Sequence, residues 1–342
     1  MKFSVTPYEL PLVVPFTTAN ATVARRRGLL VALADGKHIG YGEVAPLPGW
    51  TPIDADQAST ILRGAIASVE AGRDLDDVLD ELEASPEVRA GLSGAAADFA
   101  ARRQGLPLAR FLDPDSSETV AVNAVVGSGS PQQAADAGLD AIQRGFSVIK
   151  MKVGVAAPEV DIERVATMRS TVGALVELRL DANGAWDAST ARRVLDSVAV
   201  FGIAFCEEPV AGIDAIADLG AESPIPLAID ESARTVDDVA RALGTGAIDV
   251  VVIKPQSMGG PDLAMRAVRL TREFGAPPVV TTMIDSAIGV RHALHVAAAS
   301  GATLAHGLAT SAMLTEDLAD PPRIVDGTIT IGSLPGLGVT PG

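Results

Sequence analysis

Six side chains, Lys150, Lys152, Asp181, Glu207, Asp230 and Lys254, combine residue types and spacing that suit proton transfer beside a divalent cation. From Lys152 onward the intervals are 29, 26, 23 and 24 residues. Each interval is about one strand-plus-helix repeat. The three acids are hard oxygen donors. A few carboxylates with positions left for substrate and water suit Mg2+, with Mn2+ as a substitute. His38, His292, His295 and His306 show no ligand spacing with one another or with Cys206, which argues against zinc. The lysines stand out because the chain holds 27 basic residues and only five are Lys. Arginine keeps its proton near neutral pH, whereas a desolvated lysine can release it. Lys150 and Lys152 share a strand face, and their mutual repulsion favours one neutral amine, a candidate base. A metal beside a lysine base suits removal of a proton α to a carboxylate.

These residues can meet only if strand ends converge. Nearly continuous apolar runs at 120–126, 147–153, 176–182, 204–209, 226–231, 249–255, 278–283 and 303–307 read as parallel strands buried on both faces. Ala-rich helical stretches at 131–144, 159–171 and 188–201 separate the early ones. The expectation is an α/β fold, a (β/α)8-type barrel whose active site lies at the C-terminal mouth. A doubly wound sheet is the alternative, but the first strand ends in V-G-S-G-S without the G-x-G-x-x-G spacing. Upstream, runs at 29–34 and 38–44 joined by Asp35-Gly36 predict a hairpin. Helical patterns at 55–71, 75–84 and 86–104 follow it. The predicted organisation is an α+β capping domain over 1–105, the barrel over 106–318, and a tail over 319–342 that packs on the capping domain.

Composition narrows the function. The net charge is −16 and the pI about 4.6. That charge disfavours nucleic acid and anionic membranes as partners. The longest basic run, Arg25-Arg26-Arg27, reads equally as a solvated turn or an anion site. A single Cys allows no intrachain disulfide. No apolar stretch reaches the length of a signal peptide core or a membrane span. A cytoplasmic enzyme acting on a small carboxylate is expected. The acidic surface shows no sign of an interface, so a monomer is favoured.

In order along the chain, K150-x-K152, D181-A-N183, E207-E208-P, D230-E231-S and I-K254-P resemble the muconate-lactonising subgroup of the enolase superfamily. The resemblance covers the whole chain, and the ordered set is far more specific than any single element. It implies an enolase-like, modified barrel with metal on Asp181, Glu207 and Asp230. Strand alternation turns Glu208 and Glu231 away from the metal into supporting roles. Asn183 serves either a turn or the orientation of a ligand. Cys206 is expected to face the helices, and His306 to pack or to make a weak substrate contact.

Mandelate-racemase-like members carry a His base after the seventh strand, where this chain reads V-V-T-T-M-I-D-S. The lysine pair therefore points to muconate cycloisomerases, o-succinylbenzoate synthases and N-acylamino acid racemases or dipeptide epimerases. The segment G42-E-V-A-P-L-P-G-W50 resembles o-succinylbenzoate synthases, and 15–27 stands where the superfamily's closing loop lies. The resemblance implies dehydration of 2-succinyl-6-hydroxy-2,4-cyclohexadiene-1-carboxylate. In it Lys152 would be the base, Mg2+ would hold the enediolate, and Lys254 would stabilise it from the opposite side. Asp285 replaces a Glu that relatives often carry. Trp50, Gly259, Gly260, Thr282 and Ser286 are candidate substrate contacts. Lys150→Arg is expected to be tolerated in part and Lys152→Arg to abolish turnover. A barrel without catalysis, used as a binding module, is the reading from another class.

Overall fold

Asp35 and Gly36 turn the chain as predicted, with Asp35 Oδ1 accepting from the backbone N–H groups of Lys37 at 3.0 Å and His38 at 2.8 Å. The computed structural model describes residues 2–17 and 22–342. Residues 18–21 of the candidate closing loop lie outside the described residues. The hairpin joins β2 (Thr22–Ala34) to β3 (Ile39–Val44), and a long β1 (Lys2–Thr17) completes an antiparallel sheet in the order β1-β2-β3. Three helices follow, α1 (Ala55–Glu70), α2 (Leu75–Glu81) and α3 (Pro86–Gln104). Gly40 and Gly42 let β3 lie directly on α3. A Cβ on Gly42 would stand 2.0 Å from Gly91 O, and one on Gly40 would stand 2.2 Å from Phe99 N. Val31, Leu33 and Val44 of the sheet bury against Leu62, Leu92 and Phe99 of the helices.

Strand β2 corrects the reading of the arginine triplet, which is neither a turn nor an anion site. Arg25, Arg26 and Arg27 pair with Pro11, Leu10 and Glu9 of β1. Alternation sends Arg26 inward, where it is 1% exposed. There it donates to the carbonyls of Ile284 at 2.9 Å, Pro46 at 2.8 Å and Ala45 at 2.9 Å.

After α4 (Leu108–Leu112) come β4 (Thr119–Ala121), β5 (Ala124–Val126), α5 (Pro131–Gln143), β6 (Val148–Lys152), α6 (Pro158–Val172), β7 (Glu177–Asp181) and α7 (Ala188–Val198). The repeat continues through β8 (Ile203–Glu207), α8 (Ile213–Gly220), β9 (Leu227–Ile229), α9 (Val236–Gly244) and β10 (Val250–Ile253). It ends with α10 (Pro255–Met258), α11 (Pro261–Glu273), β11 (Pro278–Val280) and α12 (Ala287–Ala299). Strands β5 to β11 form one curled parallel sheet of seven strands in sequence order. Outward side chains such as Ile149, Leu180 and Cys206 bury against the helices, whereas Phe205, Ala228, Val250 and Val252 fill the interior. Cys206 thus faces the helices as expected.

Two strand predictions need correction. The run 120–126 is split. Its first part, β4, pairs antiparallel with β12 (Thr328–Thr330), and only β5 joins the parallel sheet. The run at 303–307 forms single bridges, Val122 to His306 and Thr281 to Gly307, rather than a strand. A side chain interrupts the ladder there: Val280 N donates to His306 Nδ1 at 2.9 Å. The tail divides its contacts. Strand β12 lies on the barrel, while Leu337 N donates to Asp98 Oδ1 of α3 at 2.7 Å. Among the described residues no helix is long and apolar enough to cross a membrane.

Candidate active site and metal centre

The alternation that turns Ile149 and Met151 toward the helices turns Lys150 and Lys152 into the barrel. Lateral pairing then sets the row. Lys152 is level with Asp181, and Asp181 with Glu207. Glu207 is level with Ala228, so Asp230, two residues on, keeps the same face. Ala228 is level with Val250, so Lys254, four residues on, keeps it too. Pro255 restricts Lys254 to extended backbone, φ −112° and ψ 104°, which holds the strand period to its last residue.

Carboxylate oxygens of Asp181, Glu207 and Asp230 lie within 4.8 Å of one another. Lys150 Nζ stands 2.8 Å from Glu207 Oε2 and 2.9 Å from Asp181 Oδ2. Lys152 Nζ donates to the same Asp181 Oδ2 at 2.6 Å and to Asn183 Oδ1 at 2.9 Å. Lys254 Nζ lies 2.7 Å from Asp230 Oδ1. One amine therefore stands at each end of the acid row, with Lys150 beneath it.

Burial pulls the Lys150 amine down, but the charges of Asp181, Glu207 and Asp230 outweigh that and hold it above the usual lysine range. The three acids thus hold Lys150 as a cation. Burial also pushes Asp181 up, and Lys150 with Lys152 reverses this, holding it below the usual carboxylate range. Glu207 is pushed up to about 7 by burial, with Lys150 pulling down and Asp181 and Asp230 pushing up. Three carboxylates this close, with one driven toward protonation, mark a site short of positive charge. All-oxygen donors and that deficit fit Mg2+.

Glu208 and Asn183 hydrogen-bond to the residues around the acid row. Glu208 takes a left-handed φ of 40° and turns back, so its Oε2 accepts from Asp230 N at 2.8 Å while Oε1 accepts from the Ser232 hydroxyl. Asn183, with φ 46°, serves the turn and the orientation together. Its Oδ1 accepts from Lys152 and its Nδ2 donates to Glu231 Oε1 at 2.8 Å.

Beyond Lys254 a cavity of about 410 Å3 opens between the capping domain and the barrel mouth. That volume is in the range of small-molecule sites. Trp50 and Gly259 line it as expected. Gly260, Thr282 and Ser286 do not line it. Gly260 packs against Ser93 of α3. The Thr282 hydroxyl pairs with that of Thr310 at 2.6 Å. Ser286 caps α12 and donates its N–H to Glu43 at 3.1 Å. Sequence reasoning missed Glu87, Arg89, Arg234 and Arg266, which also line the cavity. Arg89 clamps α3 to the barrel through Gly259 O at 2.6 Å and Asp262 Oδ2 at 2.8 Å. Nothing in local spacing marks such residues, because the approach of α3 to the mouth is a tertiary event.

The enolase C-terminal domain-like family profile matches residues 133–342. The chain belongs to the enolase superfamily. The profile described as MenC, N-terminal domain, matches residues 2–99. Muconate cycloisomerase 1 of Rhodococcus opacus is 29% identical over 97% of this chain and 93% of its own length. The o-succinylbenzoate synthase of Thermobifida fusca is 34% identical over 60% of this chain and 64% of its own. The solved substrate-liganded complex of the L-Ala-D/L-Glu epimerase from Bacillus subtilis superposes with a TM-score of 0.90 at 27% identity, covering 99% of each chain. These relatives support the muconate-lactonising subgroup of the superfamily, whose members are enzymes. Enolase-superfamily members bind Mg2+, and Asp181, Glu207 and Asp230 are placed to hold it.

Proposed function

We propose that this enolase-superfamily enzyme is an o-succinylbenzoate synthase, a hydro-lyase. It would form 2-succinylbenzoate and water from 2-succinyl-6-hydroxy-2,4-cyclohexadiene-1-carboxylate, a step of menaquinone biosynthesis. The observation that carries this reading is the match of the capping domain, over residues 2–99, to the MenC N-terminal family. That domain supplies Trp50 and Arg89 to the wall of the cavity.

The residues perform the reaction as follows. Lys152, whose side chain is 31% exposed, is the more accessible of the two lysines beside Asp181. Its neutral amine takes the ring proton α to the carboxylate. Lys254 keeps its proton: burial pulls the amine down, but Asp230 and Glu231 outweigh it. Its charge stabilises the electron-rich carboxylate from the other end of the row. Lys152, now an ammonium, returns that proton to the departing hydroxyl, which leaves as water. The ring becomes aromatic and Lys152 is neutral again. Asp181, Glu207 and Asp230 would hold Mg2+, which supplies further positive charge at the substrate carboxylate. Asn183 steadies Lys152 between turns.

A second reading rests on the two amines at opposite ends of the acid row. One base per face suits racemisation of an N-acylamino acid or epimerisation of a dipeptide. Turnover of the cyclohexadiene beside N-succinylamino acids, with α-deuteration followed in D2O, separates the two. Absence of dehydration with active deuteration of the amino acids would sink the synthase assignment.

A further inference from the structure

Outside the acid row, three buried residues share one small cavity and each has a polar atom without a partner. They are Gln256 (Nε2), Asp285 (Oδ1) and His292 (Nδ1). They are 6%, 2% and 6% exposed. The cavity is about 10 Å3, space for one water. Its walls include Glu43 and Ala90 of the capping domain, so it lies where that domain meets the barrel. Gln256 comes from α10, two residues after Lys254. Asp285 comes from the loop after β11, and His292 from α12.

The chemistry of the three atoms selects the occupant. His292 Nε2 lies 2.9 Å from the carbonyl oxygen of Tyr41. A carbonyl only accepts, so Nε2 carries the hydrogen and Nδ1 is a bare acceptor. Burial pulls the His292 pKa down, which keeps the ring neutral. Once the Asp285 carboxyl is ionised, above about pH 7, its Oδ1 is a second acceptor, and Gln256 Nε2 is a donor. An amide donor opposes a cation, while a carboxylate and a bare ring nitrogen oppose an anion. A water offers two hydrogens and a lone pair, which matches all three.

We propose that one ordered water fills this cavity and positions the turn that carries Lys254. It takes a hydrogen bond from Gln256 Nε2 and donates to Asp285 Oδ1 and His292 Nδ1. Through His292 the same water reaches Tyr41, in β3 of the capping domain. Gln256, Asp285 and His292 are then positioning residues, tying the seating of that domain to the aim of the Lys254 ammonium. The kinetic part rests on Lys254 acting as proposed above. The water itself does not depend on that.

A high-resolution crystal structure of the Mg2+-loaded enzyme should show a single water peak within hydrogen-bond distance of all three atoms. A dry cavity, or direct bonds among the three side chains, overturns the proposal. Gln256→Leu should lower kcat about tenfold, the scale of one lost buried hydrogen bond. KM and Mg2+ affinity should stay near the wild-type values, which a general loss of structure would not allow. Unchanged kcat in a Gln256→Leu protein that lacks the water overturns the positioning role. Should Gln256→Leu fail to fold, His292→Phe is read in the same way. If the wild type does not dehydrate the cyclohexadiene, the synthase reading fails. The same variants are then scored by α-deuteration of N-succinylamino acids, and the density still decides the water.

Discussion

Lys254 of the barrel places its ammonium 5.2 Å from the centre of the Trp50 ring of the capping domain. The ring's negative face offsets part of the cost of keeping that ammonium in a buried site. It also fixes the approach of the capping segment to one end of the acid row. Trp50→Ala should lower kcat/KM about 3- to 30-fold, the range of one desolvated cation–π contact. Trp50→Phe should retain most of the activity. Equal losses in the two variants would show that bulk, not the ring face, is what Lys254 uses.

Removal of Lys152, the proposed base, is the severest test of the mechanism. Lys152→Ala should reduce kcat about 10²- to 10⁴-fold, measured in a steady-state dehydration assay. The structure changes the expectation for its neighbour. Lys150 is 7% exposed and holds two carboxylates at once. A guanidinium there would overpack the barrel, so Lys150→Arg should lose both stability and Mg2+ affinity rather than be tolerated in part. A thermally stable, active Lys150→Arg enzyme would refute this.

Metal dependence should run through the support of Asp230 as well as through the acids. Chelation is expected to abolish turnover, with Mg2+ restoring it and Mn2+ substituting. Glu208→Ala removes the carboxylate that accepts from Asp230 N. Its Mg2+ affinity should weaken about 10- to 100-fold, as read by titration of activity against free metal. Unaltered affinity would mean that the Asp230 loop holds its place without Glu208.

Arg26 predicts a contrast within one tripeptide. Arg26→Met leaves three carbonyls without their donor and should cost about 3 kcal/mol or more in urea unfolding. Arg25, whose side chain is 53% exposed on the other face, should change stability by about 0.5 kcal/mol or less as Arg25→Ala. Similar losses at both positions would contradict the strand alternation.

Buried histidines set the acid limit of stability. Burial pulls His295 and His306 down to about 3. Below an ordinary His pKa near 6.5 the unfolded chain takes up protons that the folded chain refuses. Their contribution is therefore present above about pH 6.5 and is lost as pH falls toward 3, with a slope of at most about 1.4 kcal/mol per pH unit for each. Asp285 works in the opposite sense. Burial and Glu43 push it up to about 7, so below that pH the folded chain keeps a proton that the unfolded chain has released. Its contribution is lost as pH rises toward 7. Unfolding free energy measured from pH 4 to 6.5 should fall more steeply on acidification in Asp285→Asn than in the wild type. Parallel curves would remove Asp285 from this account.

The row of chemistry was legible in the chain because strand period and repeat length are local properties. Lys152, Asp181, Glu207, Asp230 and Lys254 recur one βα unit apart, and a parallel sheet in sequence order can only bring them to one mouth. The hairpin at Asp35-Gly36 was legible for the same reason, since its turn chemistry is complete within four residues. What closes over that mouth was not legible. Arg89, Arg234 and Arg266 meet Trp50 only after α3 docks on the barrel, and the sequence carries no period that links them. Burial likewise separated two lysines that look alike in K-M-K. Lys150 lies dry beneath the acids, while Lys152 stays part-exposed beside them. The run at 303–307 looked like a strand, yet the His306 side chain took the Val280 N–H that a ladder would have used. Local pattern determined which side chains share a face. The tertiary packing decided which of them are dry, which are paired and which line the cavity, because desolvation and partner choice depend on elements far apart in the chain.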